Sequence, residues 1–266
     1  MSTILAITNQ KGGVGKTTTA VNLAACLAAL QQRVLLVDLD PQGNATMGCG
    51  IDKHAATATS HEVLLGEIAL ADALQAVGDS GLFVLPANGD LTAAEVNLLG
   101  AENAAGRLRA ALDTVRERFD LILIDCPPSL NMLTVNALTA AEAVIIPMQC
   151  EYYALEGLSA LLDTIQKVRR ATNPGLRVEG LLRTMFDARN RLANEVSAQL
   201  VEHFGDALYT TAIPRNVRLA EAPSYGLPII YYDDSSRGAQ SYRDLAKEVR
   251  KRLRRPAARA GEGAGA

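Results

Sequence analysis

The sequence predicts an α/β fold, a mostly parallel β-sheet flanked by helices. Short runs rich in β-branched residues and leucine recur along the chain, and segments of helical periodicity separate most of them. The apolar fraction is 48%, and Ala, Leu, Val and Ile carry it, with four Phe, seven Tyr and no Trp. Such a composition suits helices packed on a sheet buried on both faces better than a β-sandwich.

Taken in order, the expected strands cover residues 3–8, 33–37, 82–85, 121–124, 143–147 and 177–182. Helical patterns occupy residues 16–30, 102–119, 130–140, 155–171 and 192–204, and a last helix runs from about residue 240 to 253. Strands alternating with helices imply right-handed crossovers and hence parallel pairing. With 266 residues the chain can bury a sizeable core, and residues 1–253 are expected to form a single domain. Residues 254–266, ending PAARAGEGAGA, lack the apolar content to fold and are expected to be a disordered tail. There is no internal repeat and no inter-domain linker.

No apolar run approaches the ~18 to 20 residues of a membrane span, and the start MSTILAITNQ turns polar too early for a secretory signal. A cytoplasmic protein is expected. Cys26, Cys49, Cys126 and Cys150 stand alone without a CxxC pair, which points to reduced, buried thiols and gives no support to zinc or disulfides. The net charge of -3 conceals an asymmetry: residues 1–133 hold 8 basic against 14 acidic residues, and the remainder 18 against 15. Six basic residues crowd between Lys247 and Arg255, so an acidic protein still has room for a local basic surface.

Residues 10–19 read QKGGVGKTTT and fall between an expected strand and an expected helix. Gly12, Gly13 and Gly15 permit backbone conformations in which successive N–H groups, that of Val14 included, face a phosphate. The following helix turns its positive dipole end to the same point. Lys16 adds a point charge for the β- and γ-phosphates, the Thr17 hydroxyl is a magnesium ligand in this pattern, and Thr18 completes the cradle. The general P-loop pattern has glycine where this chain has Gln10. What stands here is the deviant form KGGxGK[ST], with a second lysine, Lys11, five residues before the first.

Two acidic segments complete the constellation. VLLVDLDPQGNAT sets Asp38 and Asp40 at the carboxyl end of the second strand, and LILIDCPPSL sets Asp125 after the fourth, a Walker B arrangement. Such an aspartate usually holds magnesium through water. Alone, each is equally readable as a strand-terminating carboxylate or a helix cap.

With these motifs in hand, the chain resembles the ParA/Soj branch of the deviant Walker A P-loop ATPases, which also includes MinD and the nitrogenase iron protein. KGGVGKTTTAVNLA, VLLVDLDPQGNAT, LILIDCPPSL, QCEYYALEGL, TMFDARN and IPRNVRLAEAPSYG occur in the family's order, across residues 3–253. The resemblance implies ATP and Mg2+ as cofactors, ATP hydrolysis as the reaction, and an ATP-bound homodimer. Lys16 would bind phosphate in its own subunit while Lys11 reaches the partner's nucleotide, and Gly12 would lie where two backbones approach. The carboxylate of Asp40 would orient attacking water, Asp125 would serve the metal through water, and Pro214 and Asn216 would line the adenine. Arg189, Arg191, Arg215 and Arg218 lie in segments where Soj-like proteins present DNA-binding arginines, although any single one is equally readable as half of a surface ion pair. Contacts to phosphates imply non-specific, salt-dependent binding of double-stranded DNA.

The resemblance further implies a ParB/Spo0J-like partner, a role in chromosome or plasmid segregation, and association with the nucleoid. The chief alternative, a MinD-like membrane ATPase, needs a C-terminal amphipathic helix with large apolar residues; KEVRKRLRRPAARAGEGAGA offers only Val249 and Leu253, so no membrane binding is expected. A nitrogenase-type reductase would need cluster cysteines at a dimer axis, whereas Cys126 and Cys150 lie in ParA-like segments. No acceptor-site motif favours a metabolic kinase. The loop is reached by Lys11 without a preceding helix-turn-helix region, so operator-specific repression by this chain is not expected.

Overall fold

In the computed structural model, residues 2–98 and 100–254 are described. The strands are β1 (Thr3–Ile7), β2 (Val34–Asp38), β3 (Gln75–Ala76), β4 (Leu82–Leu85), β5 (Leu121–Asp125), β6 (Ala143–Met148) and β7 (Arg177–Arg183). They form one sheet in the order β3-β4-β2-β5-β1-β6-β7. Every pairing is parallel except the short β3 against β4. All six expected strands are present.

The helices are α1 (Lys16–Ala29), α2 (Asn44–Gly48), α3 (Ser60–Leu65), α4 (Leu70–Ala73), α5 (Leu91–Leu98), α6 (Arg107–Asp113), α7 (Met132–Ala140), α8 (Ala154–Ala171), α9 (Arg191–Phe204), α10 (Val217–Glu221), α11 (Ile229–Tyr232) and α12 (Arg237–Leu253). Successive strand residues go to opposite faces, and both faces are dry. Ile4, Ala6, Leu35, Val37, Ile122 and Ile124 enter one core, with α6, α7 and α8. Leu5, Ile7, Val34, Leu36, Leu121 and Leu123 enter the other, with α1 and α12. This two-sided burial explains why the strands read as unbroken apolar runs instead of alternating ones.

The helix expected over residues 102–119 is interrupted. Only Arg107–Asp113 is α-helical, with short 3-10 turns at Ala104–Gly106 and Arg116–Arg118. Asn103 adopts a left-handed conformation (φ 51°) before it, and the Thr114 hydroxyl bonds back to the Ala111 carbonyl (2.7 Å) at its end. The last helix starts earlier than expected, at Arg237, because the Ser236 hydroxyl accepts from the Ala239 N–H (3.1 Å) and caps it. Of the expected tail, residues 255–266 lie outside the described residues.

Candidate nucleotide site

The sheet register brings the phosphate loop and the acidic motifs together. Ile7, the last residue of β1 before the loop, is paired with Asp125, and Asp125 is paired with Asp38. The ends of β1, β5 and β2 therefore form one row at the carboxyl edge of the sheet, where open α/β sheets bind ligands. The loop rises from this edge into α1.

Gly13 (φ 73°) and Gly15 (φ 86°) take the left-handed conformation that side chains resist, and Gly15 precedes the first turn of α1. Asn9 stiffens the base of the loop, accepting from the Lys11 N–H (3.0 Å) and donating to the Pro147 carbonyl (2.8 Å). The Thr184 hydroxyl donates to the Val14 carbonyl (2.7 Å), tying the crest of the loop to the end of β7. The Val14 side chain is buried, so its contribution to a ligand lies in its backbone. Neither Asn9 nor Thr184 is marked by the loop motif; each is legible only once the fold brings it beside the loop.

Lys16 is buried and donates to the Lys11 carbonyl (3.1 Å). Burial pulls its ammonium below the ordinary lysine value, and the Asp125 carboxylate is the largest influence opposing this. Asp125 is fully buried, and neither carboxylate oxygen has a hydrogen-bond partner. Burial, followed by repulsion from Asp38, raises its carboxyl well above the usual range. The Thr17 hydroxyl is near enough to favour the charged form without closing a bond of ordinary geometry. A buried acid lacking any partner beside a lysine and a threonine hydroxyl is suited to a hydrated cation. Among the described residues no group of three or more His, Cys, Asp or Glu could hold a metal alone. Any ion here would depend on Thr17, Asp125, phosphates and water.

The two aspartates of the second motif differ sharply. Asp38 is fully buried, accepting from the Asp40 N–H (3.1 Å) at one oxygen and from the Thr46 N–H (2.8 Å) and hydroxyl (2.7 Å) at the other. Burial raises its carboxyl against those bonds. Asp38 thus pins α2. Asp40 instead lines a cavity of about 280 Å³ with Gly12, Lys16, Thr17, Asn44 and Pro128. One of its oxygens accepts from the Gln42 N–H (3.0 Å).

Gly15, Thr18 and Met185 also line a second cleft of about 160 Å³, bounded on its far side by Pro214 and Asn216. The two sequence-predicted adenine residues therefore share a cleft continuous with the loop. The Asn216 side-chain oxygen caps α10 by accepting from the Leu219 N–H (3.2 Å).

Lys11 lies outside these cavities and pairs with Glu151 of its own chain (2.5 Å). The arginines are divided. Arg189 and Arg215 border a third groove of about 820 Å³ that shares Pro214 with the second cleft. Arg189 makes a two-point contact with Asp187 (3.0 and 2.9 Å), while Arg191, 93% exposed, pairs with Glu195. Arg218 is held between Glu221 (2.8 Å) and Asp233 (3.4 Å).

Similarity to known proteins agrees with this geometry. A family model described as an AAA domain matches residues 2–178. The sporulation initiation inhibitor protein Soj of Bacillus subtilis is 54% identical, over 94% of this chain and 98% of its own. The chromosome partitioning protein ParA of Caulobacter vibrioides is 50% identical, over 94% and 95%. A crystal structure of cobyrinic acid a,c-diamide synthase from Mycobacterium smegmatis, with an ATP analog and magnesium bound, has a TM-score of 0.83 at 39% identity, covering 95% of this chain and 96% of that one. A deviant phosphate loop at the head of a row of aspartates, on a chain alike to Soj and ParA nearly end to end, places the protein in the ParA/Soj family of chromosome-partitioning ATPases.

Proposed function

We propose that the chain is a magnesium-dependent ATP hydrolase that dimerises around ATP, binds double-stranded DNA in that state, and serves chromosome or plasmid segregation with a ParB/Spo0J-like partner. The observation that carries the reading is Asp125, whose buried, unpartnered carboxylate sits in register with the strand that leads into the loop bearing Lys16 and Thr17. The loop N–H groups and Lys16 hold the phosphates. Thr17 directly, and Asp125 through water, would hold Mg2+, which when bound neutralises phosphate charge. Asp40 orients the attacking water at the cavity edge, and Pro214 and Asn216 flank the adenine.

Hydrolysis depends on positioning and charge neutralisation, and a cation donated by a second subunit makes it conditional on dimerisation. Lys11 is available for that purpose: its pairing with Glu151 is a half-exposed ion pair, a class of interaction that holds weakly. Arg189, Arg191, Arg215 and Arg218 supply phosphate contacts that need no base sequence. A cytoplasmic, nucleoid-bound location follows from that role. No described helix is long and apolar enough to cross a membrane. In α12 Tyr242, Leu245, Ala246 and Val249 are buried in the core and Leu253 packs half-buried against it, so the described part of the helix offers no exposed apolar face to a lipid surface.

The test is a calorimetric titration with Mg-ATP alongside a phosphate-release assay. The wild type should bind and hydrolyse ATP, Lys16→Ala should lose useful binding, and Asp125→Asn should lose the magnesium dependence of binding. Undiminished ATP affinity in Lys16→Ala would contradict the reading.

A further inference from the structure

The groove bordered by Arg189 and Arg215 holds a third cation, Arg237, which lies outside every motif segment of the sequence. One wall is a single face of α12, where Arg237, Gln240, Ser241 and Asp244 follow the helical spacing. The start of that helix is fixed by close packing. Gly238 is buried, and an added Cβ would meet the Leu219 side chain of α10 at 2.7 Å. Ala239 is also buried, and the Ser236 hydroxyl caps the turn. Arg237 stands between these anchors, its backbone held while its own side chain is exposed in the groove.

The charges of the groove are unequally committed. Asp187 receives the two-point contact from Arg189, and Asp244 accepts from Lys247 (3.0 Å). Both acids of the groove are thus taken up by other cations. Arg237, like Arg215, makes no ion pair and no side-chain hydrogen bond among the described residues. An exposed arginine without a partner does nothing to hold the fold, and its full charge is available to an anion. The volume of about 820 Å³ is far more than one phosphate needs, and Arg189 and Arg215 already mark this surface for DNA. Pro214 and Arg215 also line the second cleft, so the groove adjoins the nucleotide site without being part of it.

We propose that Arg237 is a DNA-binding residue that contacts the phosphate backbone of double-stranded DNA, in one groove with Arg215 and Arg189. The proposal rests on the DNA-binding reading above and extends it to the first residue of α12. The contact is electrostatic and carries no base sequence. On an ATP-bound dimer it is made twice.

The test is fluorescence anisotropy with a duplex of arbitrary sequence in Mg-ATP, across a salt series, for the wild type, Arg237→Ala, Arg237→Lys and Lys167→Ala. Lys167 is an exposed lysine of α8, on the opposite face of the sheet, and controls for net charge. Arg237→Ala should bind every sequence more weakly and flatten the slope of log K against log salt by about 1.8, about 0.9 for each of two copies. Its deficit against the wild type should therefore shrink about tenfold between about 50 and 200 mM salt. Arg237→Lys should keep the wild-type slope, Lys167→Ala should match the wild type, and light scattering should show ATP-dependent dimers of all four proteins. Wild-type affinity and slope in Arg237→Ala overturn the assignment alone. So does an equal loss in Lys167→Ala, a lost slope in Arg237→Lys, or failure of Arg237→Ala to dimerise, which would trace the effect to net charge, shape or assembly. A wild type that binds no DNA with ATP overturns the DNA-binding reading and the assignment together.

Discussion

Replacing Asp38 by alanine tests whether that residue builds the site or binds its ligand. The change strips the acceptor from two buried backbone donors, the N–H groups of Asp40 and Thr46, which cannot turn to other partners. Each such orphan costs about 1–3 kcal/mol, and the Thr46 hydroxyl, free to rotate, adds less. Removing the carboxylate also relieves the desolvation that raises its carboxyl above the usual range. The net loss should be about 2–4 kcal/mol, or roughly 4–16 °C in melting temperature at about 2–4 °C per kcal/mol for a chain of this size. Asp38→Asn, which keeps one acceptor oxygen but turns an NH2 toward a donor, should lose about half as much. The assay is urea unfolding followed by circular dichroism without nucleotide or magnesium, so that fold stability alone is read. An Asp38→Ala midpoint equal to the wild type, or a deficit present only when Mg-ATP is added, would refute the structural assignment and return Asp38 to the ligand.

Asp40→Ala should bind ATP normally yet hydrolyse it very slowly and accumulate as ATP-bound dimer; normal turnover in a phosphate-release assay would remove Asp40 from the chemistry. A Cβ at Gly12 meets nothing within 4 Å inside the chain, so Gly12→Val should fold and bind ATP but remain a monomer. Light scattering that shows ATP-dependent dimers of this variant would place Gly12 away from the interface. Arg189→Ala and Arg218→Ala should weaken binding to DNA of every sequence, and every phosphate left without its arginine should lower the slope of log K against log salt by about 0.9. Asp187→Asn should do the opposite by freeing Arg189, and fluorescence anisotropy across a salt series reads both. Hydrogen bonds from Arg189 pull the Asp187 carboxyl down to about 2, below its ordinary value, so the pair is complete above about pH 4 and lost only as pH falls toward 2. This pair should therefore add nothing to the pH dependence of DNA binding near neutrality.

The six principal strands and the phosphate loop were legible because their signals are local: apolar runs for a sheet buried on both faces, and glycines where φ must be positive. What was not legible depends on partners far along the chain. The expected 102–119 helix starts instead at Arg107, where the Asn136 side chain accepts from the Leu108 N–H (3.1 Å) and donates to the Ala104 carbonyl (2.8 Å). That cap comes from α7. Asp38 and Asp40 have the same local setting in sequence, and only Thr46, folded back on Asp38, separates their surroundings. Lys11 meets Glu151 and Val14 meets Thr184 across 140 and 170 residues, distances no motif spans. One missed element did carry a local signal: Thr59 and Glu62 form a capping box ahead of α3. The arginine ion pairs with Asp187, Glu195 and Glu221 are also local, but sequence spacing alone does not distinguish a paired arginine from one available to phosphate.

The central claim is that ATP converts a weak DNA-binding monomer into a dimer whose two arginine surfaces act together. Its most direct measurement is the affinity of the wild type for a duplex of arbitrary sequence with ATP, with ADP and without nucleotide, across a salt series, with liposomes as the competing surface. Pairing two subunits makes the second set of contacts intramolecular, which should raise affinity by about 10²-fold or more and roughly double the salt slope in ATP alone. Equal DNA affinity in ATP and ADP at every salt concentration, or ATP-dependent binding to the liposomes in place of DNA, would contradict it.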